Sequence, residues 1–325
     1  MEVDYRILGR TGVKVSSLCF GTMSFGDIAD ESESARMFHR CREVGINFFD
    51  CANTYAGGRS EEILGELIAD CRDEIVLTTK AVSRTGDDIN QGGASRRHIQ
   101  IAVEDSLRRL NTDRIDVYFL HHYDAETPIE ESLRTLDDLA RQGKILYPAV
   151  SNWAAWQVMK AQGIAEHKGL ARIECLQPMY NLVKRQAEVE ILPMAENEEI
   201  GVIPYSPLGG GLLTGKYAAD GRADAGRLIE NSMYSKRYGL ADYYQSAADF
   251  SAHARERGLQ PATLAVAWVM AHPAVTAPII GARNLAQLDS SLAALDVAMT
   301  PEWYAEISAL SPTPPPAHDR LEELG

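Results

Sequence analysis

INFFDCANTY, residues 46–55, runs from an apolar segment straight into an acid, Asp50, and a tyrosine follows five positions later at Tyr55. The run from Ile46 to Phe49 reads as a buried strand, because strands covered on both faces appear as continuous apolar runs. Such a strand has no structural need to end in a carboxylate with a phenol just beyond it. Whether other strands of this chain end in the same way decides both the fold and the chemistry.

They recur on both sides of this stretch. Upstream, YRILGRTGVKVSS has the pattern of a β-hairpin turning at Arg10–Gly12. LCFGTMSFG follows as a strand ending in glycines, and ESARMFHRCREVG (33–45) has helical spacing with a glycine stop. Downstream, strands are expected at 46–52, 74–80, 114–122, 145–152, 173–181, 201–208 and 277–282. Helices are expected at 61–70, 96–110, 129–144, 154–167, near 186–198, at 242–257, 262–272 and 285–295. Residues 209–240 read as a long polar, glycine-containing loop after the seventh strand.

Eight strand–helix units build a parallel sheet, and in a chain of 325 residues they point to a closed (β/α)8 TIM barrel. A doubly wound sheet calls for a GxGxxG turn after its first strand. The turn here, GTMSFG, has different glycine spacing. Glycine, proline and charge are spread evenly, so residues 1–325 read as one barrel domain with an extended tail at 310–325.

Composition narrows the function classes. The net charge of −14 and a pI near 5.1 disfavour nucleic acid and anionic membranes as partners, yet leave room for an anionic ligand at a local basic cluster. Five scattered cysteines without a CxxC pair fit reduced thiols in a cytoplasmic protein. The amino terminus has no apolar leader and no stretch has eighteen consecutive apolar residues.

Catalytic groups of a barrel gather at the carboxyl ends of its strands. There the sequence places Asp50 and Tyr55, Lys80, His121, Ser151 with Asn152, Gln177, Tyr205, and Gly281 with Arg283. Any one of these has a bland explanation, such as a solvated strand end or a helix cap. A whole set on one rim does not, because barrels need no ionisable groups there for stability. A phenol with an unperturbed pKa of about 10 is a poor acid near neutrality. A neighbouring ammonium lowers that value, a carboxylate holds the ammonium, and a neutral imidazole orients a carbonyl oxygen. Asp50 therefore ends its strand to hold Lys80 beside Tyr55.

The chain resembles the aldo-keto reductases over nearly its whole length. The resemblance rests on LGRTGVKVSSLCFGTMSFG, FFDCANTY, TTK, LHH, VSN, QPMYN, YSPLGGGLLTGKY and IIGARNLAQL. It implies an NADPH-dependent carbonyl reductase, with Tyr55 as general acid, Lys80 tuning it, Asp50 orienting Lys80, and His121 positioning the carbonyl. It further implies Ser151, Asn152 and Gln177 at the nicotinamide carboxamide, Tyr205 stacked on the ring, and Thr22 and Met23 near the ribose. Ser206, Leu208 and Gly210 would lie in the turn over the pyrophosphate. Gly281 and Arg283 would meet the 2′-phosphate, and Gln287 the ribose or adenine. The family often carries Glu-Asn where this chain has Ser290–Ser291.

Pocket walls are expected from Met23, Phe25, Tyr123, Trp153 and the segment around Tyr234. His121, His122 and Asp124 are not expected to form a metal site, since adjacent residues of a strand face opposite ways. Two rivals remain. Some barrels of this family are regulatory subunits of membrane channels that bind cofactor and turn over slowly. A sugar isomerase or hydrolase would need a second rim carboxylate or metal ligands.

Overall fold

The computed structural model describes residues 2–217 and 226–318. It opens with an antiparallel hairpin, β1 (Tyr5–Ile7) and β2 (Lys14–Ser16). The turn is closed by Leu8 N–H donating to Val13 O at 2.9 Å and by Thr11 Oγ1 donating to Leu8 O at 2.7 Å.

Eight parallel strands follow: β3 (Cys19–Gly21), β4 (Phe48–Asp50), β5 (Val76–Ala81), β6 (Ile115–Leu120), β7 (Ile145–Ser151), β8 (Cys175–Gln177), β9 (Gly201–Val202) and β10 (Ile279–Ile280). They pair in the order β10-β3-β4-β5-β6-β7-β8-β9. Ile279 N–H donates to Pro204 O at 2.9 Å across the remaining seam, so the sheet curls round into a (β/α)8 barrel.

Helices α1 (Glu31–Glu43), α2 (Arg59–Ile68), α3 (Arg96–Arg109), α4 (Ile129–Arg141), α5 (Ala155–Lys168) and α6 (Ile191–Asn197) follow β3 to β8 in turn. After β9 the expected long loop holds a 3-10 turn, Gly209–Thr214, and two short helices, α7 (Arg227–Glu230) and α8 (Ser232–Tyr238). Residues 218–225 of that loop lie outside the described residues. Then come α9 (Ala241–Glu256) and α10 (Pro261–Ala271) before β10, and α11 (Leu285–Leu292) and α12 (Pro301–Ser308) after it. The sequence reading gave no helix at α12. Its start is nonetheless marked, by Thr300 accepting from Trp303 N and by a proline in the first turn.

Side chains alternate between two cores, as the strand period of two requires. Phe48, Val76, Val117, Phe119, Ala149, Cys175 and Ile203 form one cluster with Leu8 and Val15 of the hairpin. This is the barrel interior, and the hairpin stoppers it. Phe49, Leu77, Tyr118, Leu120, Val150, Leu176 and Val202 point the other way, into the layer packed against the helices. Inward positions therefore run Phe48–Asp50, Val76–Thr78–Lys80, Cys175–Gln177 and Ala149–Ser151. Each series begins apolar at the hairpin end and becomes polar at the carboxyl end.

Candidate active site

Asp50 is the last inward residue of β4 and is 2% exposed. Register sets Thr78 opposite it on β5, and the Thr78 hydroxyl donates to Asp50 Oδ1 at 2.6 Å. Lys80, two residues further and fully buried, donates from Nζ to Asp50 Oδ2 at 2.6 Å and to Cys51 O at 2.6 Å. The same Nζ reaches Tyr55 Oη at 3.4 Å. Tyr55 begins a tight turn, Tyr55–Gly58, in which Ala56 and Gly57 take left-handed backbone angles of φ 48° and 64°. That turn brings the phenol back over the barrel mouth.

The electrostatics follow from burial. Desolvation works to strip Lys80 of its proton, but Asp50, by charge and by hydrogen bond, and Tyr55 together outweigh it and hold the ammonium above its ordinary range. Tyr55 was expected to be lowered by Lys80. Burial instead pushes it up to about 12, with Lys80 opposing that rise in part. The phenol is thus a protonated donor at neutral pH. Burial, then Lys80, pushes His121 down to about 3, so its imidazole is neutral. The His121 ring meets Tyr55 edge-on at 6.3 Å, and its buried Nδ1 has no hydrogen-bond partner.

Polar groups of neighbouring strands form a web around this centre. Gln177 Nε2 donates to Asp50 Oδ1 at 2.9 Å, and Ser151 Oγ donates to Gln177 O at 2.8 Å. Asn152, in left-handed backbone at φ 59°, donates to His121 O at 2.9 Å and accepts from Tyr205 Oη at 2.7 Å. Thr22 caps the end of β4 through Asp50 O, while Met23 stands 39% exposed at the rim.

The further residues sort into two groups. Gly209, Gly210 and Gly211 all take left-handed backbone, which glycine adopts without steric cost. A methyl group at Gly210 would come within 2.8 Å of the Tyr234 ring. Ser206 is left-handed as well, at φ 58°, and Leu208 flanks the turn. Arg283 is partly exposed and 4.0 Å from Glu230 of α7. Gln287 Oε1 accepts from Arg283 N at 3.1 Å, and Gly281 is exposed beside them. Ser291 is 1% exposed and faces inward, while Ser290 Oγ donates back to Ala286 O at 2.9 Å.

A model described as the aldo/keto reductase family matches residues 17–312. The chain belongs to the aldo/keto reductase family. It is similar to an "Uncharacterized oxidoreductase YrpG" of Bacillus subtilis, at 37% identity over 96% of this chain and 97% of that protein. A "Probable voltage-gated potassium channel subunit beta" of Oryza sativa is 36% identical over 96% of this chain and 98% of that protein. A "Versiconal hemiacetal acetate reductase" of Aspergillus parasiticus is 31% identical over 92% and 94%. At the family's level the chemistry is oxidoreduction between carbonyl and alcohol with a nicotinamide cofactor.

One further expectation changes. Phe25 is fully buried against Phe20 at 5.8 Å, so it is core and no pocket wall. Tyr123 and Trp153 pack edge-on at 5.2 Å, and Trp156, 59% exposed, joins them at 6.3 Å. Asp124 accepts from Ala94 N and Thr127 Oγ1, both at 2.7 Å, which makes it a loop clasp. The sequence reading also missed Glu61. This fully buried carboxylate of α2 accepts from Thr79 Oγ1 at 2.5 Å and from Arg109 Nε at 2.7 Å, tying β5 and α3 together behind the site. No local spacing signals it, since the three partners come from three elements. Among the described residues no helix is long and apolar enough to cross a membrane.

Proposed function

We propose that this chain is an NADPH-dependent reductase of aldehydes or ketones, with Tyr55 as the general acid. One observation carries the reading. A single buried ammonium, Lys80 Nζ, is locked at 2.6 Å to Asp50 and at 3.4 Å to Tyr55 Oη, with the neutral imidazole of His121 alongside. When bound, the reduced nicotinamide supplies the hydride. Tyr55 Oη and His121 hold the carbonyl oxygen between two donors. As negative charge develops on that oxygen, Tyr55 releases its proton to it. An alkoxide is a far stronger base than a phenolate, so the transfer runs downhill even from a raised phenol. The charge left on the phenolate is met by Lys80, and Asp50, Thr78 and Gln177 keep Lys80 in place.

The residues around the mouth suit the dinucleotide. Three left-handed glycines, 209–211, offer bare backbone where a pyrophosphate needs close approach, and the Lys216 amine lies beside Gly211. Arg283 offers a planar fork for the 2′-phosphate that NADPH has and NADH lacks. Ser151, Asn152 and Gln177 serve the carboxamide, Tyr205 the ring, Thr22 and Met23 the ribose, and Gln287 the adenosine end. Residues 1–325 act as one barrel domain in the cytoplasm.

A second reading rests on the relatives named as potassium channel β subunits, the rice protein and one of Arabidopsis thaliana at 37% identity. On it, the chain binds cofactor with little turnover. Mixing the protein with NADPH and a panel of aldehydes and ketones, and following NADPH consumption by absorbance, separates the two. Turnover of at least one carbonyl supports the reductase. Tight NADPH binding with no consumption across the panel favours the second reading.

A further inference from the structure

Behind Lys80, on the face of the sheet turned toward the helices, three elements meet at one carboxylate. Glu61, the third residue of α2, is fully buried. Its Oε1 accepts from Thr79 Oγ1 at 2.5 Å, and its Oε2 accepts from Arg109 Nε at 2.7 Å. Thr79 and Lys80 are neighbours on β5, so their side chains point to opposite faces of the sheet. The strand that presents the ammonium to the site is therefore gripped from outside, one residue away from Lys80.

The helix that carries Glu61 also carries the phenol at its head. α2 starts at Arg59, immediately after the Tyr55–Gly58 turn. Ala56, Gly57 and Gly58 of that turn take positive φ angles of 48°, 64° and 99° in succession. An alanine rarely adopts such a backbone, which persists only where the surroundings hold it. Arg109 supplies a hold. A methyl group at Gly58 would lie 2.9 Å from Arg109 Cδ and 3.0 Å from its Nε, so the bare backbone of Gly58 rests on the arginine stem. The stem is fixed in turn, because Nε is tied to Glu61 and the end of α3 is packed hard against α2. A methyl group at Gly65 of α2 would come within 2.6 Å of the Leu110 carbonyl carbon.

We propose that Glu61 and Arg109 are positioning residues: as one buried ion pair they set the reach between Tyr55 Oη and Lys80 Nζ, 3.4 Å in the structure. Glu61 fixes β5 against α2, and Arg109 props the turn at the head of α2. The inference rests on Tyr55 being the general acid. Proton release leaves a phenolate, and its stabilisation by Lys80 weakens as the two groups separate. Glu61 and Arg109 lie on the outward side of β5, so their effect falls on kcat and spares the binding of cofactor and carbonyl.

The test is a double substitution, Glu61→Met with Arg109→Met. It removes both charges together, so neither is left buried without its partner, and apolar residues of similar volume often replace such pairs without loss of stability. The melting temperature should stay near that of the wild type. With the best carbonyl substrate, kcat should fall roughly ten- to a hundredfold, the scale on which a displacement of about 1 Å acts. KM for the carbonyl and the Kd for NADPH should stay within about threefold, as for an interaction that acts only in the transition state. Arg109→Lys keeps a cation for Glu61 and should recover part of the lost rate. Thr79→Val unhooks only the strand from Glu61. It should also lower kcat with KM unchanged, and it carries the test if the double variant does not fold. A crystal structure of the variant should show Tyr55 Oη further from Lys80 Nζ than in the wild type. Wild-type kcat or an unchanged distance in the folded variant overturns the proposal, and so does an equal loss of kcat and NADPH affinity, the mark of a merely structural pair. Failure of the reductase reading looks different: the wild type consumes no NADPH, or Tyr55→Phe turns over as the wild type does. In that case the distance between Tyr55 Oη and Lys80 Nζ still decides the positioning claim without any turnover.

Discussion

At Lys80 three needs meet in one buried ammonium: it satisfies Asp50, bonds Cys51 O and faces Tyr55. Removing one partner of a buried ion pair leaves the other uncompensated, at a cost of about 3–5 kcal/mol. Lys80→Met should show that loss in urea unfolding, as a lower midpoint at unchanged slope. A loss below about 1 kcal/mol, the scale of an exposed pair, would mean that the pair is solvated. His121 gives a pH signature. The unfolded chain protonates this residue near its ordinary value of about 6.5. The folded chain resists until about pH 3, because burial lowers the group. Between those values the unfolded state binds more protons, so stability falls as pH drops through the window. His121→Gln lacks that contribution. The gap in urea midpoint between wild type and variant should therefore shift against the wild type on going from about pH 7 to about pH 4, and a gap independent of pH would refute the burial of a neutral imidazole.

Among the elements, the hairpin is the one that no barrel strictly requires, yet Leu8 and Val15 are fully buried in the barrel interior. Leu8→Ala should cost about 2–5 kcal/mol in denaturant unfolding, the range for emptied core sites, and a negligible loss would show that the stopper is loose. At the start of α11, Arg283→Ala should weaken NADPH roughly ten- to a hundredfold and spare NADH, since a hydrogen bond between charged partners is worth about 1.5–3 kcal/mol. Paired titrations followed by tryptophan quenching measure this. Equal losses for both cofactors would mean that Arg283 supports the loop and reads no phosphate. These elements were legible for a physical reason. The βα alternation and the polar strand ends are local patterns, so Asp50, Lys80, His121 and Gln177 could be placed on one rim from spacing alone. Other features depend on pairings across the fold. Gln177 is held to Asp50 from 127 positions away, and Glu61 is buried only because Thr79 and Arg109 enclose it. Phe25 sits close to the rim in sequence, but the turn at Phe25–Gly26 folds its ring into the core. The eight residues of α12 lie just before a proline-rich tail, and its caps were too local to stand out from it.

Across the whole molecule, the closed sheet gives the two ends different work. One end is sealed by apolar hairpin contacts, and the other gathers ionisable groups that a barrel does not need for its stability. A net charge of −14 spread over the surface repels anions at long range, so an anionic ligand has to be held by local cations such as Lys216 and Arg283. The central claim is that this arrangement reduces carbonyls with Tyr55 as the proton donor. Tyr55→Phe keeps the ring and removes only the donor. Steady-state NADPH consumption with the best carbonyl substrate of the panel, measured beside NADPH binding by tryptophan quenching, tests it most directly. The variant should bind NADPH as the wild type does while reduction falls by a factor on the order of 10² or more, the scale of general acid catalysis. Turnover equal to the wild type, with NADPH binding intact, would contradict the assignment of Tyr55.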